Sequence, residues 1–284
     1  MKVGIIGLGA MGLGMARRLA QAGFLTGVYN RTAAKMAEFT VPHYNQPEAL
    51  AADMDMVLLC VSADKDVLQI VKAITNTIKP NTIVVDMSTV SSDTAKQAAD
   101  CLATKQAAFL DAPVSGGVEG AKNGTLSMMI GGDIEVLETV RPVLACMATR
   151  IIHIGATGAG QATKAINQIM CAGINQAVTE ALAVAQAQDL PMAKVIEVIS
   201  GGASGNWFLQ HRGLTMTQGK FSTGFKLALH HKDLKIAQTM AEQLDVAIPL
   251  TDKTILDYQQ LMADGHGDED ISALFRLKSK RIND

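Results

Sequence analysis

The chain opens Met1-Lys2-Val3-Gly4-Ile5-Ile6-Gly7-Leu8-Gly9-Ala10-Met11-Gly12-Leu13-Gly14, and this stretch decides how the first half folds. Val3, Ile5 and Ile6 read as a short apolar strand. Gly7, Gly9 and Gly12 follow in the spacing G-x-G-x-x-G, and Met15, Leu19 and Ala20 continue at helical intervals. A strand, a glycine turn and the first turn of a helix make the arrangement that holds a dinucleotide pyrophosphate. Gly7 lets the chain turn, Gly9 lets the backbone approach the phosphates, and Gly12 lets the helix pack on the strand. The phosphates would then meet the free N–H groups and positive end of that helix. Glycines also mark ordinary turns; the position between strand and helix is what points to a nucleotide.

Outward from this turn, the chain is long enough for two domains. It has 284 residues, of which 48% are hydrophobic and 18% charged, the balance of a folded protein rather than a disordered one. The net charge of -2 gives no electrostatic case for nucleic acid or an anionic membrane. No run of about 18 apolar residues is present, so no membrane span is expected. The start could pass for a signal peptide, but five glycines and the Arg17-Arg18 pair interrupt its apolar core. Cys60, Cys101, Cys146 and Cys171 show no CxxC or metal spacing. They suggest a reducing compartment, and a cytoplasmic location is expected. No His, Asp or Glu cluster has metal spacing, so no metal is expected.

The first half alternates short apolar runs with helical stretches. Strands are predicted at 24–30, 56–61, 82–86, 107–111, 126–130 and 150–154. Helices are predicted at 33–39, with Thr32 as N-cap, and at 66–78 and 92–105. Continuous apolar strands separated by helices imply a doubly wound parallel sheet, covered on both faces, in an α/β domain over residues 1–160. After that the pattern changes. Residues 162–188 form one long alanine-rich helical stretch, followed by helical segments at 193–200, 226–243, 251–263 and 271–280. An all-helical domain over 161–284 is therefore expected, joined to the first by the long helix. The 15 methionines are spread along the chain and read as core filler.

A dinucleotide must be read at its adenosine ribose. An acidic residue about 20 positions beyond the glycines serves the 2′-hydroxyl of NAD. Here the second strand ends Tyr29-Asn30-Arg31-Thr32, with no carboxylate. Asn30 can donate to a phosphate oxygen, Arg31 supplies a planar cation, and Thr32 adds a hydroxyl and a helix-start N–H. This reads as a 2′-phosphate pocket and hence NADP(H), against the plainer alternative of a surface arginine beside a cap. The loops after later strands, beginning Val61-Ser62-Ala63 and Met87-Ser88-Thr89, should also face the coenzyme.

Two further segments carry chemistry. In Asp111-Ala112-Pro113-Val114-Ser115-Gly116-Gly117, Ser115 and two bare backbone amides could cup a carboxylate. In Gly158-x-Gly160-x-x-x-Lys164-x-x-Asn167-Gln168, positions 164, 167 and 168 share one helical face. A lysine near the positive end of a helix is pressed to release its proton, which suits a proton donor. A glycine-rich connection and a surface lysine are the bland alternatives. The pair His230-His231 reads as a solvated or helix-face pair rather than as ligands. Trp207-Phe208 could line a cleft or belong to a core or subunit interface.

These segments together resemble the β-hydroxyacid dehydrogenase family, over essentially the whole chain. The resemblance rests on Gly7-Leu8-Gly9-Ala10-Met11-Gly12 with Met15-Ala16, on Asp111 to Gly117, on Gly158-x-Gly160-x-x-x-Lys164, and on Lys232-Asp233-Leu234. It implies a Rossmann-type domain joined to a helical one. It implies that Lys164 is the catalytic lysine and that Ser115, Gly116 and Gly117 bind the substrate carboxylate. Asn167 or Gln168 stands where the family places a substrate-binding asparagine. Ala10, Met11, Asn30, Arg31, Thr89 and Lys232 match coenzyme positions. The implied reaction is NADPH-dependent reduction of a short semialdehyde that bears a carboxylate: glyoxylate, succinic semialdehyde or tartronate semialdehyde. The alternatives are oxidation of a 3-hydroxyacid such as 3-hydroxyisobutyrate or serine, and a non-catalytic dinucleotide sensor. A phosphogluconate dehydrogenase would share the fold but need a longer helical region. A homodimer or homotetramer is expected, with no nucleic-acid or membrane partner.

Overall fold

The computed structural model describes residues 1–279 and divides into two compact units, Met1–Lys164 and the residues from Ala165 onward. The first unit runs β1 (Val3–Ile6), α1 (Ala10–Gln21), β2 (Leu25–Tyr29), α2 (Pro47–Asp53), β3 (Met56–Leu59), α3 (Asp64–Ile74), β4 (Ile83–Asp86), α4 (Ser92–Ala103) and β5 (Ala108–Asp111). It continues β6 (Val114–Ser115), α5 (Gly117–Asn123), β7 (Leu126–Gly131), α6 (Ile134–Leu144) and β8 (Ala148–Gly155). Helix α7 (Ala159–Ala187) then begins in the first unit and continues into the second.

The strands form one sheet in the order β2-β1-β3-β4-β5-β7-β6, with β8 on β7. Strands β2, β1, β3, β4 and β5 are mutually parallel; β7 returns antiparallel to β5. Side chains alternate between two cores, one on each face. Val3, Ile5, Met56, Leu58, Ile83 and Val85 enter one. Ile6, Val57, Leu59, Val84 and Phe109 enter the other. Burial on both faces is why these strands read as unbroken apolar runs. The order reverses at β1, and ligands of such sheets bind outside the carboxyl ends of the strands at that reversal. The register aligns those ends: Ile6 pairs with Leu59, Leu59 with Asp86, and Asp86 with Asp111.

The residues expected at 33–39 as a helix form only a 3-10 turn, Ala33–Met36, and the Thr32 side chain makes no capping bond. Four elements of this unit were not anticipated: α2, β6, α5 and α6. Helices α2 and α5 have seven residues each, too short for periodicity to declare itself.

The second unit contains the rest of α7, then α8 (Met192–Ser200), α9 (Trp207–Thr217), α10 (Leu227–Gln243), α11 (Pro249–Ala263), a 3-10 turn at Ile271–Leu274 and α12 (Phe275–Lys278). Its own core gathers Ala172, Leu182, Phe208, Leu227, Leu234, Tyr258 and Phe275. Phe208 is thus a core residue, whereas Trp207 is exposed and stacks on His211 with ring centroids 4.2 Å apart. The helix expected at 271–280 is split between the 3-10 turn and α12, and its last position lies outside the described residues. Among the described residues, no helix is long and apolar enough to cross a membrane.

Candidate active site

The three glycines of the first turn differ in what surrounds them. Gly7 has φ +102°, where side chains are disfavoured, and an added Cβ would lie 2.2 Å from the carbonyl oxygen of Cys60. A Cβ at Gly12 would lie 2.0 Å from the carbonyl oxygen of Gly7, so α1 packs against the turn only because Gly12 is bare. A Cβ at Gly9 meets nothing within 4 Å. Gly9 is the N-cap of α1, no side chain caps that end, and its first turn holds no acid. Open space before uncapped N–H groups fits a pyrophosphate. Ala10 is exposed and Met11 half-buried beside this space.

At the tip of β2, the Asn30 carboxamide ties the structure together. Its oxygen accepts the Leu8 N–H at 2.8 Å, and its nitrogen donates to the Thr32 carbonyl at 2.9 Å. Asn30 therefore fixes the glycine turn to the loop carrying Arg31. Arg31 and Thr32 are exposed, and Arg31 enters no ion pair among the described residues.

The next two loops are joined by hydrogen bonds at the carboxyl edge. The Val61 N–H donates to Ser88 Oγ at 2.9 Å, and the Ser88 N–H donates to Asp86 Oδ1 at 2.9 Å. Ser62 is exposed, and Thr89 is half-buried. Gln161, in the first turn of α7, brackets Thr89. Its side-chain oxygen accepts the Val90 N–H at 3.1 Å and its nitrogen donates to the Ser88 carbonyl at 2.8 Å.

Two buried carboxylates end neighbouring strands. Burial pushes Asp86 up to about 6, helped by the negative charges of Asp111 and Asp64 and opposed by hydrogen bonds from Ser88. Asp111 is also raised by burial, against the pull of backbone N–H donors. Its Oδ1 accepts the Gly158 N–H at 2.7 Å, and its Oδ2 the Gln161 N–H at 2.9 Å. Asp111 thus sits under the start of α7. The positive helix end that the sequence argument assigned to Lys164 is already met by this carboxylate. Lys164, one turn beyond Gln161, is 7% exposed.

Ser115 lies in β6, paired with Ser127 of β7, and is half-buried. Gly116 (φ +130°) and Gly117 (φ +62°) follow it, two successive residues in backbone regions that side chains disfavour.

Within the second unit, four polar residues form a chain. Asn167 Nδ2 donates to Gln168 Oε1 at 2.8 Å, Gln168 Nε2 donates to Asp233 Oδ2 at 2.7 Å, and Lys232 pairs with Asp233 Oδ1 at 2.9 Å. Gln168 is 1% exposed, whereas Asn167 is half-buried. For His230-His231 the solvated alternative does not hold at the first member, whereas the helix-face alternative does. His230 is fully buried, its ring nitrogens 3.1 Å from Tyr258 Oη and 3.2 Å from the Gln168 carbonyl oxygen. It is a core histidine on the inward face of α10. Among the described residues, no group of His, Cys, Asp and Glu could hold a metal ion.

The chain is similar to known proteins over nearly its whole length. Residues 2–155 match the family model for the NAD binding domain of 6-phosphogluconate dehydrogenase. Residues 158–278 match that for the NAD-binding region of NADP-dependent 3-hydroxyisobutyrate dehydrogenase. The chain is 38% identical to an uncharacterized oxidoreductase of Shewanella frigidimarina, over 99% of both chains. It is 33% identical to the 2-hydroxy-3-oxopropionate reductase of Escherichia coli, over 100% of this chain and 99% of that one. A solved structure of Mycobacterium tuberculosis 3-hydroxyisobutyrate dehydrogenase with L-serine superposes with a TM-score of 0.89 at 31% identity, covering 97% and 98% of the two chains.

The chain belongs to the β-hydroxyacid dehydrogenase family. It is an enzyme of the NAD(P)-dependent 3-hydroxyacid dehydrogenase and semialdehyde reductase class, acting on a small molecule, and NADP is the coenzyme that the second model names. Within this β-hydroxyacid dehydrogenase, the motif reading missed Asp86 and Gln161, and it named Ser88 and His230 without the hydrogen bonds they make. Asp86 carried one legible signal, an acid closing an otherwise apolar strand. Gln161 carried none, since its partners lie 71 and 73 positions away.

Proposed function

We propose that this enzyme reduces a short semialdehyde bearing a carboxylate, of the glyoxylate, succinic semialdehyde or tartronate semialdehyde type, with NADPH as coenzyme. The observation that carries the proposal is Lys164. It is a nearly buried lysine on a helix anchored, in the same unit, to the end of β5 and to the loop that follows β4. An amine so placed has little freedom and suits a fixed proton-transfer task.

Bound NADPH supplies a hydride, the two electrons that convert the carbonyl carbon to an alcohol carbon. Lys164, as ammonium, stabilises the negative charge gathering on the carbonyl oxygen and gives it a proton. The neutral amine then recovers a proton from solvent. Ser115 with the backbone of Gly116 and Gly117 holds the substrate carboxylate. Asn167 is the amide offered to substrate, because it is half-buried whereas Gln168 is 1% exposed. The N–H groups at the start of α1 hold the pyrophosphate, with Ala10 and Met11 beside it. Arg31 and Thr32 meet the 2′-phosphate, and Val61, Ser62, Thr89 and Lys232 complete the coenzyme contacts. Exposed Arg31 with no acid beside it supports NADPH over NADH.

A second reading has a specific observation behind it: the structural relative of M. tuberculosis is a 3-hydroxyisobutyrate dehydrogenase solved with L-serine. The same residues would then run oxidatively, with neutral Lys164 taking the alcohol proton. A panel of short semialdehydes and 3-hydroxyacids, each with both coenzymes, decides between them. The Lys164→Ala variant should lose roughly 10²–10⁴-fold in kcat while binding NADPH as before; unchanged turnover would remove Lys164 from the chemistry. We also propose a homo-oligomer built on the second unit, whose exposed apolar side chains include Val198, Met170, Val184 and Trp207. Light scattering on the eluting protein tests it; a monomer would refute it.

A further inference from the structure

We propose that Asp111 and Gln161 are a pair of positioning residues that hold Lys164 in register with the loop carrying Thr89. The inference rests on Lys164 being the proton donor and extends it to how that amine is aimed.

The first turn of α7 leaves its N–H groups without helical partners. Asp111 takes two of them, one on each oxygen, from a strand end that is hydrogen-bonded into the middle of the sheet. The seat is built for a carboxylate. A Cβ at Gly131 would lie 2.4 Å from Asp111 Oδ1, and one at Gly160 would lie 2.8 Å from Oδ2. Gly158, which donates to Oδ1, has φ +93°. Two glycines, Gly131 and Gly160, thus clear the space around one buried acid, and a third, Gly158, turns its N–H onto it, so both glycines of the Gly158-x-Gly160 motif gain a structural purpose. The neighbouring Gln161 side chain then grips both sides of Thr89, through the Ser88 carbonyl and the Val90 N–H. Asp111 also begins the segment leading to Ser115. One hydrogen-bonded unit therefore ties the helix bearing the proton donor to the loop after β4 and to the end of β5.

The pair touches neither substrate nor coenzyme in this proposal; it acts through Lys164 and Thr89. Asp111→Asn keeps the size but offers one accepting oxygen where two N–H groups converge. Its NH2 group faces the other. The first turn of α7 should shift, and a displacement of about 1 Å at a reacting group costs on the order of 100-fold. The expected result is a 10- to 100-fold fall in kcat, with substrate KM and the NADPH Kd each within threefold of the parent. NADPH carrying deuterium at the transferred position should show a larger primary isotope effect than with the parent, because a misaimed donor makes the chemical step slower than release. Gln161→Ala leaves the Asp111 cap and frees the Thr89 loop; it should raise the NADPH Kd about 5- to 20-fold and lower kcat less than Asp111→Asn.

Asp111→Asn with kcat and isotope effect like the parent overturns the proposal, as does an equal loss in kcat and in coenzyme binding. Should Asp111→Asn fail to fold, Gln161→Ala decides, and a parent-like NADPH Kd there is likewise fatal. Lys164→Ala measured alongside separates the two claims. Full activity in that variant removes the proton-donor reading, whereas its inactivity beside an unaffected Asp111→Asn removes only the positioning pair.

Discussion

Replacing Gly9 by alanine should separate coenzyme binding from folding, and replacing Gly12 should not. At Gly9 the backbone is extended (φ -70°, ψ -168°), which alanine adopts freely, and the new methyl meets no protein atom within 4 Å. Two small effects on stability then oppose each other. Alanine is a poorer N-cap than glycine, by roughly 0.5–1 kcal/mol. It also narrows the unfolded ensemble, which stabilises by about 0.4–1 kcal/mol. The sum is within about 1 kcal/mol, a shift of roughly 2–4 °C or less in Tm for a chain of this size. The methyl does occupy the space through which a phosphate must approach the α1 N–H groups. Losing one charge-assisted hydrogen bond there costs about 1.5–3 kcal/mol, a rise of roughly 10- to 150-fold in the NADPH Kd. Gly12→Ala instead forces a methyl to 2.0 Å from the Gly7 carbonyl oxygen, so α1 must lift from the sheet at a cost of about 1–3 kcal/mol or more. NADPH titration by fluorescence, with thermal melts of the apo proteins, reads both quantities. A Gly9→Ala protein that binds NADPH within twofold of the parent would refute the pyrophosphate assignment, whatever its Tm.

Arg31→Ala should raise the NADPH Kd at least tenfold and leave the NADH Kd within threefold, from the loss of a charged contact worth about 1.5–3 kcal/mol; equal losses for both coenzymes would move the 2′-phosphate elsewhere. Asp86 makes the fold pH-sensitive, because its folded value of about 6 exceeds the ordinary 3.9 of an unfolded Asp. The folded state then holds more protons between those values, so its stability falls as pH rises from about 4 to about 6, by roughly 2–3 kcal/mol. Asp86→Asn removes this term, so its Tm relative to the parent should improve between pH 4.5 and 7.5; a constant difference would show that Asp86 titrates normally.

Much of this molecule is legible in its sequence. The β1 turn announced itself because three glycines at fixed spacing have few other uses between a strand and a helix. The parallel sheet was legible because strands buried on both faces lose their polar alternation. The long helix α7 was legible because 29 residues give periodicity room to show. Elements of two to seven residues, β6, α2 and α5, gave no such signal. Asn30 was read for its chemistry alone; its place between Leu8 and Thr32 is a tertiary fact.

What the sequence determined by itself was therefore the local: which segments turn, extend or coil, and which motifs carry glycine, lysine and serine at useful spacings. What only the tertiary structure decided was which groups share a buried space. His230 reads in the sequence as half of a solvated or helix-face pair, but its carbonyl and phenol partners lie 62 and 28 positions away. Asp111 looked like the first letter of a loop motif, yet its partners are 47 and 50 positions distant, under another element. Backbone propensity acts over a few residues, whereas a buried polar group must find its hydrogen bonds wherever the packed chain brings donors within 3 Å or so.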